Sequence, residues 1–198
     1  MLDGDALPPL LSPSEFSIGT KGAIKFSDPR LPALLDGASA AIRRYCGWHI
    51  APLIEDVYTL DYDGGSIVTL QTLRLVDVLA LKVWDHEYSA EELASLKWSH
   101  NGEIAFPHPG HGMYPGAGFR AINVAMQHGF DLDAVADVKQ IVQQVVGNAI
   151  ASPMGATKEQ AGQVAISWST TAPGVSGGIS LLDRDYAVLD LYRLPGRT

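Results

Sequence analysis

The apolar positions change period along the chain, and each change marks an element. From residue 28 to 47, Leu31, Leu34, Leu35, Ala38, Ile42 and Tyr45 recur at three- and four-residue steps, the spacing that lines one face of a helix. Asp28 is a natural N-cap, Pro29 suits the first helical position and Gly47 ends the pattern, which together predict a helix near 29–46. Further on, Val135, Val138, Ile141, Val142, Val145, Val146 and Ala149 form a second stripe, opened by Asp131 or Asp133 and closed at Ser152-Pro153. That stripe predicts a helix near 133–151. A shorter pattern of Leu182, Tyr186 and Leu189, after Ser180 as N-cap and Asp183 as first-turn carboxylate, predicts a closing helix near 181–192.

Between the first two helices the period falls to two. IEDVYTL and SIVTLQT, within residues 54–72, read as strands joined through Asp63-Gly64-Gly65, a hairpin signal. VDVLALKVW, residues 76–84, is a further strand, Ser89 and Glu92 make a capping-box pattern, and Asn101-Gly102 falls between two short strands. In FRAINVAMQHGF, Ile122, Val124, Met126 and His128 share one face. A strand at QVAISWS follows the second long helix, and residues 170–178 form a Gly/Pro/Ser-rich link. Residues 1–27 lack a sustained apolar period and read as an extended arm. Strand and helix do not alternate as a parallel sheet requires, so the class is α+β: a small helical core with a β-hairpin-rich insert at about 51–130. The expected organisation is an arm (1–27), a core (28–178) and a C-terminal segment (179–198).

Composition excludes several functions. Among 198 residues, Cys46 is the one cysteine, so neither an internal disulfide nor a thiolate zinc cluster can form. Its place at the apolar end of a helix, beside Tyr45 and Trp48, marks it as a small buried hydrophobe. The formal charge of −8, without a Lys/Arg cluster, argues against a surface that grips phosphates. The same acidity suits a surface past which DNA slides without sticking. No apolar run reaches the roughly 20 residues a bilayer span needs, and the start of the chain lacks the pattern of a signal peptide. A cytoplasm-like compartment is expected.

The loop AFPHPGHGMYPGAG, residues 105–118, holds the strongest hint of chemistry, because His108 and His111 give H-x-x-H. Helical zinc sites place histidines four apart, and loop sites recruit further His, Asp or Glu. Neither condition is met, since Glu103 is the nearest preceding acid and lies on a strand. His49, His86, His100 and His128 are scattered singly and read as satisfied or surface histidines. G-x-S-x-G, S-x-x-K and G-K-[ST] do not occur, and the loop glycines lack the flanking strand and helix of a phosphate cradle. The carboxylate pairs Asp61/Asp63 and Glu91/Glu92 sit beside turns, where such groups are solvated. The residues therefore give no positive sign of catalysis, a metal or a cofactor. The polar side of the second long helix is informative in another way. Gln140, Gln143, Gln144 and Asn148 leave it nearly uncharged, which suits contact with a neighbouring subunit.

The order of these elements resembles the head-to-tail adaptor proteins of tailed bacteriophages, also called head completion or connector proteins. The resemblance spans about residues 30–195 and rests on LPALLDGASAAIRRYCGW, FRAINVAMQHGFD, LDAVADVKQIVQQVVGNAIASPMGATKEQAGQVAISWS and LLDRDYAVLDLYRLPG. It implies a structural protein of the virion neck, made in the host bacterial cytoplasm. It further implies a homo-oligomeric ring of twelve copies beneath the portal, through which DNA passes without specific binding. By the same resemblance Leu182, Tyr186, Leu189, Tyr192 and Arg193 would dock on the portal, and the N-terminal arm would clasp the adjacent copy. His108, His111, Met113 and Tyr114 would touch a neighbour or the next neck or tail-completion protein. Two rivals stand beside it: a tail or baseplate binding module presenting Trp98 and Tyr114, and a metal-dependent hydrolase built on His108, His111 and a distant carboxylate.

Overall fold

The computed structural model describes residues 7–106, 116–151, 158–161, 164–167 and 181–196. The α+β class is what it shows, in two compact units: a β-rich unit, Trp48–Leu132, inserted into a helical unit formed by Pro8–Gly47 and Asp133–Arg193.

In the helical unit the two long stripes become α2 (Leu31–Cys46) and α4 (Ala136–Ala151), which pack on each other. Leu31, Leu35, Ala38, Ile42 and Cys46 are buried along α2, and Val138, Ile141, Val142, Val145, Val146 and Ala149 along α4. Each large aliphatic among them contributes about 1.5–3 kcal/mol by leaving water. Gly47 ends α2 in a left-handed conformation (φ 82°), its N–H donating to the Arg43 carbonyl at 2.8 Å. The beginning of α2 differs from expectation. Arg30, not Asp28, precedes the first helical residue, and Pro32 rather than Pro29 occupies the first turn. Asp28 is engaged by Arg30, accepting its backbone N–H at 2.9 Å and its guanidinium at 2.8 and 3.1 Å. Helix α4 is entered through a 3-10 turn, Leu132–Val135, and the closing helix α5 (Asp183–Leu189) continues into another, Asp190–Tyr192.

Residues 8–20, expected as part of an extended arm, contain helix α1 (Pro13–Gly19). Ser12 Oγ accepts the Glu15 N–H while Glu15 Oε2 accepts the Ser12 N–H, a complete capping box with proline in the first turn. Leu10, Leu11 and Phe16 are buried, and Ser39 Oγ in α2 accepts the Leu10 N–H at 2.9 Å.

The β-rich unit is built on β7 (Gly118–His128), the central long strand of a four-stranded antiparallel sheet. It pairs with β1 (Ile54–Tyr62) on one side and β3 (Leu75–Val83) on the other, with β4 (His86–Glu87) beyond β3 and the short helix α3 (Ala90–Ser95), capped by Ser89, after it in the chain. Ile122, Val124, Met126 and His128 share its buried face, as their alternation predicts. A smaller sheet orders β2 (Ile67–Thr69), β6 (Glu103–Ala105) and β5 (Lys97–Trp98). Asn101-Gly102 makes its expected turn, with Gly102 at φ 84°. A side chain there would come within 2.6 Å of the Thr72 carbonyl, so only glycine fits.

The hairpin expected between β1 and β2 does not form. Asp63 Oδ1 accepts the Gly65 N–H at 2.8 Å and Gly64 is left-handed (φ 87°), so the turn exists. It leads the chain from one sheet into the other: β1 pairs with β7 and β2 with β6. The nine residues of β1 find a partner of matching length in β7, which the three-residue β2 cannot supply. The last strands, β8 (Lys158–Ala161) and β9 (Val164–Ser167), form a two-stranded antiparallel sheet of their own.

Candidate functional site

The surface expected for a ring neighbour on α4 is partly occupied within the chain. Gln140 is exposed, whereas Gln143, Gln144 and Asn148 are half-buried. The Gln143 amide lies directly over Gly19 of α1, where any side chain would overlap it. One turn earlier, Lys139 Nζ donates to Glu15 Oε1 at 2.7 Å. That hydrogen bond, with those from Ser12, pulls the Glu15 carboxyl down to about 2. The uncharged face thus serves α1 at Gln143, and Gln140 remains open.

The C-terminal residues are placed unevenly. Leu189 is fully buried, and its carbonyl accepts the Cys46 thiol at 3.6 Å. Burial pushes that thiol up to about 11, so Cys46 is a packing residue. Tyr186 is half-buried with its ring 4.8 Å from that of Tyr45, and Leu182 is half-buried at the start of α5, donating its N–H to Asp185 at 2.9 Å. Tyr192 donates its hydroxyl to Asp137 at 2.9 Å. Arg193 is exposed, its guanidinium 5.0 Å over the Tyr45 ring, and the Tyr45 hydroxyl donates to Asp190 at 2.5 Å. Leu189, Tyr186 and Tyr192 hold this segment to its own unit. Leu191, exposed to 77%, is the apolar residue of the segment that faces out; sequence reading missed it because it falls off the Leu182–Tyr186–Leu189 face.

His108, His111, Met113 and Tyr114 lie outside the described residues, which resume on either side at Phe106 and Gly116. Phe106 is buried and donates its N–H to the Ser66 carbonyl at 2.8 Å. On the return side, Gly118 lies against the Trp84 indole so closely that a side chain there would overlap the ring. Arg120 is held at φ 54°, donating its N–H to Asp61 Oδ1 at 2.7 Å. A non-glycine residue in that region costs of order 1–3 kcal/mol, offset here by the hydrogen bond and the paired strand. Between them Phe119 is 89% exposed. Trp98, expected as an exposed aromatic surface, is half-buried and packs on the core of the β-rich unit.

The described histidines have local roles. His86 pairs with Glu92 at 3.1 Å, His100 Nδ1 contacts the Leu75 carbonyl at 3.3 Å, and His49 Nε2 contacts the Pro52 carbonyl at 2.9 Å. His128 is fully buried, and its ring stands edge-on to His49 at 4.4 Å and to Tyr58 at 5.6 Å. Neither of its ring nitrogens has a hydrogen-bond partner among the described residues. Burial, reinforced by His49, pulls it down to about 4. Among the described residues no group of three or more His, Cys, Asp or Glu is placed to hold a metal ion, and no helix is long and apolar enough to cross a membrane.

Charge divides sharply between the units. Residues 48–132 hold eleven Asp/Glu against four Lys/Arg, whereas residues 8–47 and 133–193 hold nine of each. Almost the whole net charge therefore belongs to the β-rich unit.

No protein-family model and no curated protein matches the chain. Solved structures do. A chain from the neck of an empty GTA (gene transfer agent) particle, computed with C6 symmetry, superposes with a TM-score of 0.59 at 16% identity, covering 100% of this chain and 97% of that one. A chain from the neck of the native GTA particle, computed with C12 symmetry, gives 0.56 at 16% identity with the same coverage. The fold is thus shared from end to end with chains of a phage-like particle's neck, in agreement with the resemblance to head-to-tail adaptors.

Proposed function

We propose that this chain is a structural neck protein of a phage-like particle, a head-to-tail adaptor that forms a ring beneath the portal and extends the DNA channel. The observation that carries the reading is the fold match to neck chains over the full length of both partners. A small domain recruited for another purpose would match over a part. The C12 symmetry used for one of those necks supports a ring of twelve copies here.

Charge supports a division of labour. The acidic β-rich unit suits the wall of the channel, because a wall of like charge offers DNA no counterion-release binding and lets it pass. The neutral helical unit suits protein contacts. Portal docking belongs to the C-terminal segment, with Leu191 and Arg193 as its outward side chains. Leu189, Tyr186 and Tyr192 set the position of that segment from within. The loop carrying His108, His111, Met113 and Tyr114, extended at its base by Phe119, serves contact with a neighbour or with the next protein toward the tail.

The test is reconstitution with the portal of the same particle. Leu191→Asp should lose attachment while its thermal midpoint stays within a few degrees of the parent. Attachment at parental strength would remove the docking assignment.

A further inference from the structure

We propose that Phe119 of one copy seats in the pocket that residues 23–30 and Ile150 border on the helical unit of the next. This rests on the ring reading and names a contact that joins neighbours in the ring.

The knob is built into the backbone. Phe119 is 89% exposed, more than any other large apolar side chain among the described residues. It stands between two fixed positions, Gly118 against the Trp84 ring and Arg120 at φ 54° with its N–H on Asp61. A left-handed arginine is strained, and strain of that kind collects where a fold presents a functional group. An aromatic ring held out in water by a rigid base has the form of an interface anchor, whose energy is realised in a partner's pocket.

The pocket is on the same chain. Ala23, Ile24 and Pro29, from the connection between α1 and α2, and Ile150 of α4 give it apolar walls, and Lys25 and Arg30 line it as well. It is open, with a volume of about 480 Å³, within the range that takes a small organic group. Asp28 holds the Arg30 guanidinium at 2.8 Å, whereas the Lys25 ammonium has no ion-pair partner among the described residues. A benzyl ring seated here leaves water and offers its face to that cation. Phe26, in the same segment and 67% exposed, widens the apolar surface.

Charge matches the two surfaces. The pairing of Tyr62 with Gly118 sets Asp61 and Asp63 beside the knob, and Asp85 follows Trp84 in the chain, against Arg120. Around the pocket the balance is reversed, with Lys21, Lys25 and Arg30 against Asp28. Such complementarity orients an encounter and penalises the wrong one. Knob and pocket belong to one sequence and differ from each other, so each copy gives one Phe119 and receives one. That is a head-to-tail contact, the kind that generates a closed ring when the rotation closes. It selects a second copy, over the portal or a tail protein, as the occupant.

The experiment uses the full-length chain with Phe119 replaced by the photo-crosslinker p-benzoylphenylalanine, as a mixture of isotope-labelled and unlabelled copies. The mixture is irradiated alone and with the portal of the particle. In assembled rings, crosslinks should join position 119 of one label to residues 23–30 or 150 of the other. In parallel, Phe119→Ser should need at least about tenfold more protein to form rings, with the amides of β7 as protected from exchange as in the parent. Crosslinks confined to one copy, to the portal or to another surface of the neighbour overturn the seat, as do rings with no crosslink from position 119. A Phe119→Ser chain that assembles at the parental concentration also overturns it, and in each of these cases the ring reading stands. Where Phe119→Ser loses the protection of β7, the crosslink alone decides. A parental chain that never assembles, even with the portal, overturns the ring and the seat together.

Discussion

His128 closes the buried face of β7 with an imidazole where its neighbours Ile122, Val124 and Met126 are hydrocarbon. The consequence is a pH dependence with a defined sign. The unfolded chain takes up a proton near the ordinary histidine value of about 6.5, the folded chain only near 4. This group's contribution is therefore complete above the first value and is lost as pH falls toward the second, about 3 kcal/mol in all. Urea midpoints should fall between pH 7 and 4.5, and His128→Leu should flatten that decline; a variant as acid-sensitive as the parent would contradict the assignment. Glu15, held at about 2, loses its contribution in a lower window and does not confuse the test. Gly118 predicts a steric effect. With the Trp84 ring where a side chain would go, Gly118→Ala should cost about 1–3 kcal/mol by overpacking, read as a lowered thermal midpoint. Cys46, buried and pushed up to about 11, should react with thiol reagents only as fast as the chain unfolds.

Among the elements, α2 and α4 were legible because a long stripe at helical spacing admits one reading, and β7 because its alternation runs unbroken from Ile122 to His128. Helix α1 was equally legible in principle. Ser12 and Glu15 make the same S-x-x-E pattern recognised at Ser89 and Glu92, but at seven residues the helix is too short for its apolar period to show among the surrounding prolines and glycines. Ser12→Ala should cost about 1 kcal/mol by removing the cap, and the loss should appear in amide exchange of α1 before that of α2. The hairpin misreading at Asp63-Gly64-Gly65 has a different cause. Turn chemistry is local and is satisfied whichever strand follows, whereas partner choice depends on burial across the long separation between β1 and β7. The candidate surfaces were least legible. Leu189 and Tyr192 were expected to dock on the portal; Leu189 is buried with its carbonyl at Cys46, and Tyr192, in the 3-10 turn after α5, donates to Asp137. The Leu182–Tyr186–Leu189 spacing shows a helix face in the sequence, and which way that face points is decided by partners far away in the chain.

For the whole molecule, the concentration of negative charge in the β-rich unit predicts that the assembled protein will not retard duplex DNA even at about 50 mM salt, where basic surfaces bind strongly. Retardation at that salt would argue against a channel wall. The central claim concerns assembly, and electron microscopy of the full-length chain reconstituted on the portal of its particle tests it most directly. Closed rings of twelve copies, coaxial with the portal and open along their axis, are expected. A chain that stays monomeric with the portal present, or that binds elsewhere on the particle without forming a ring, would contradict it.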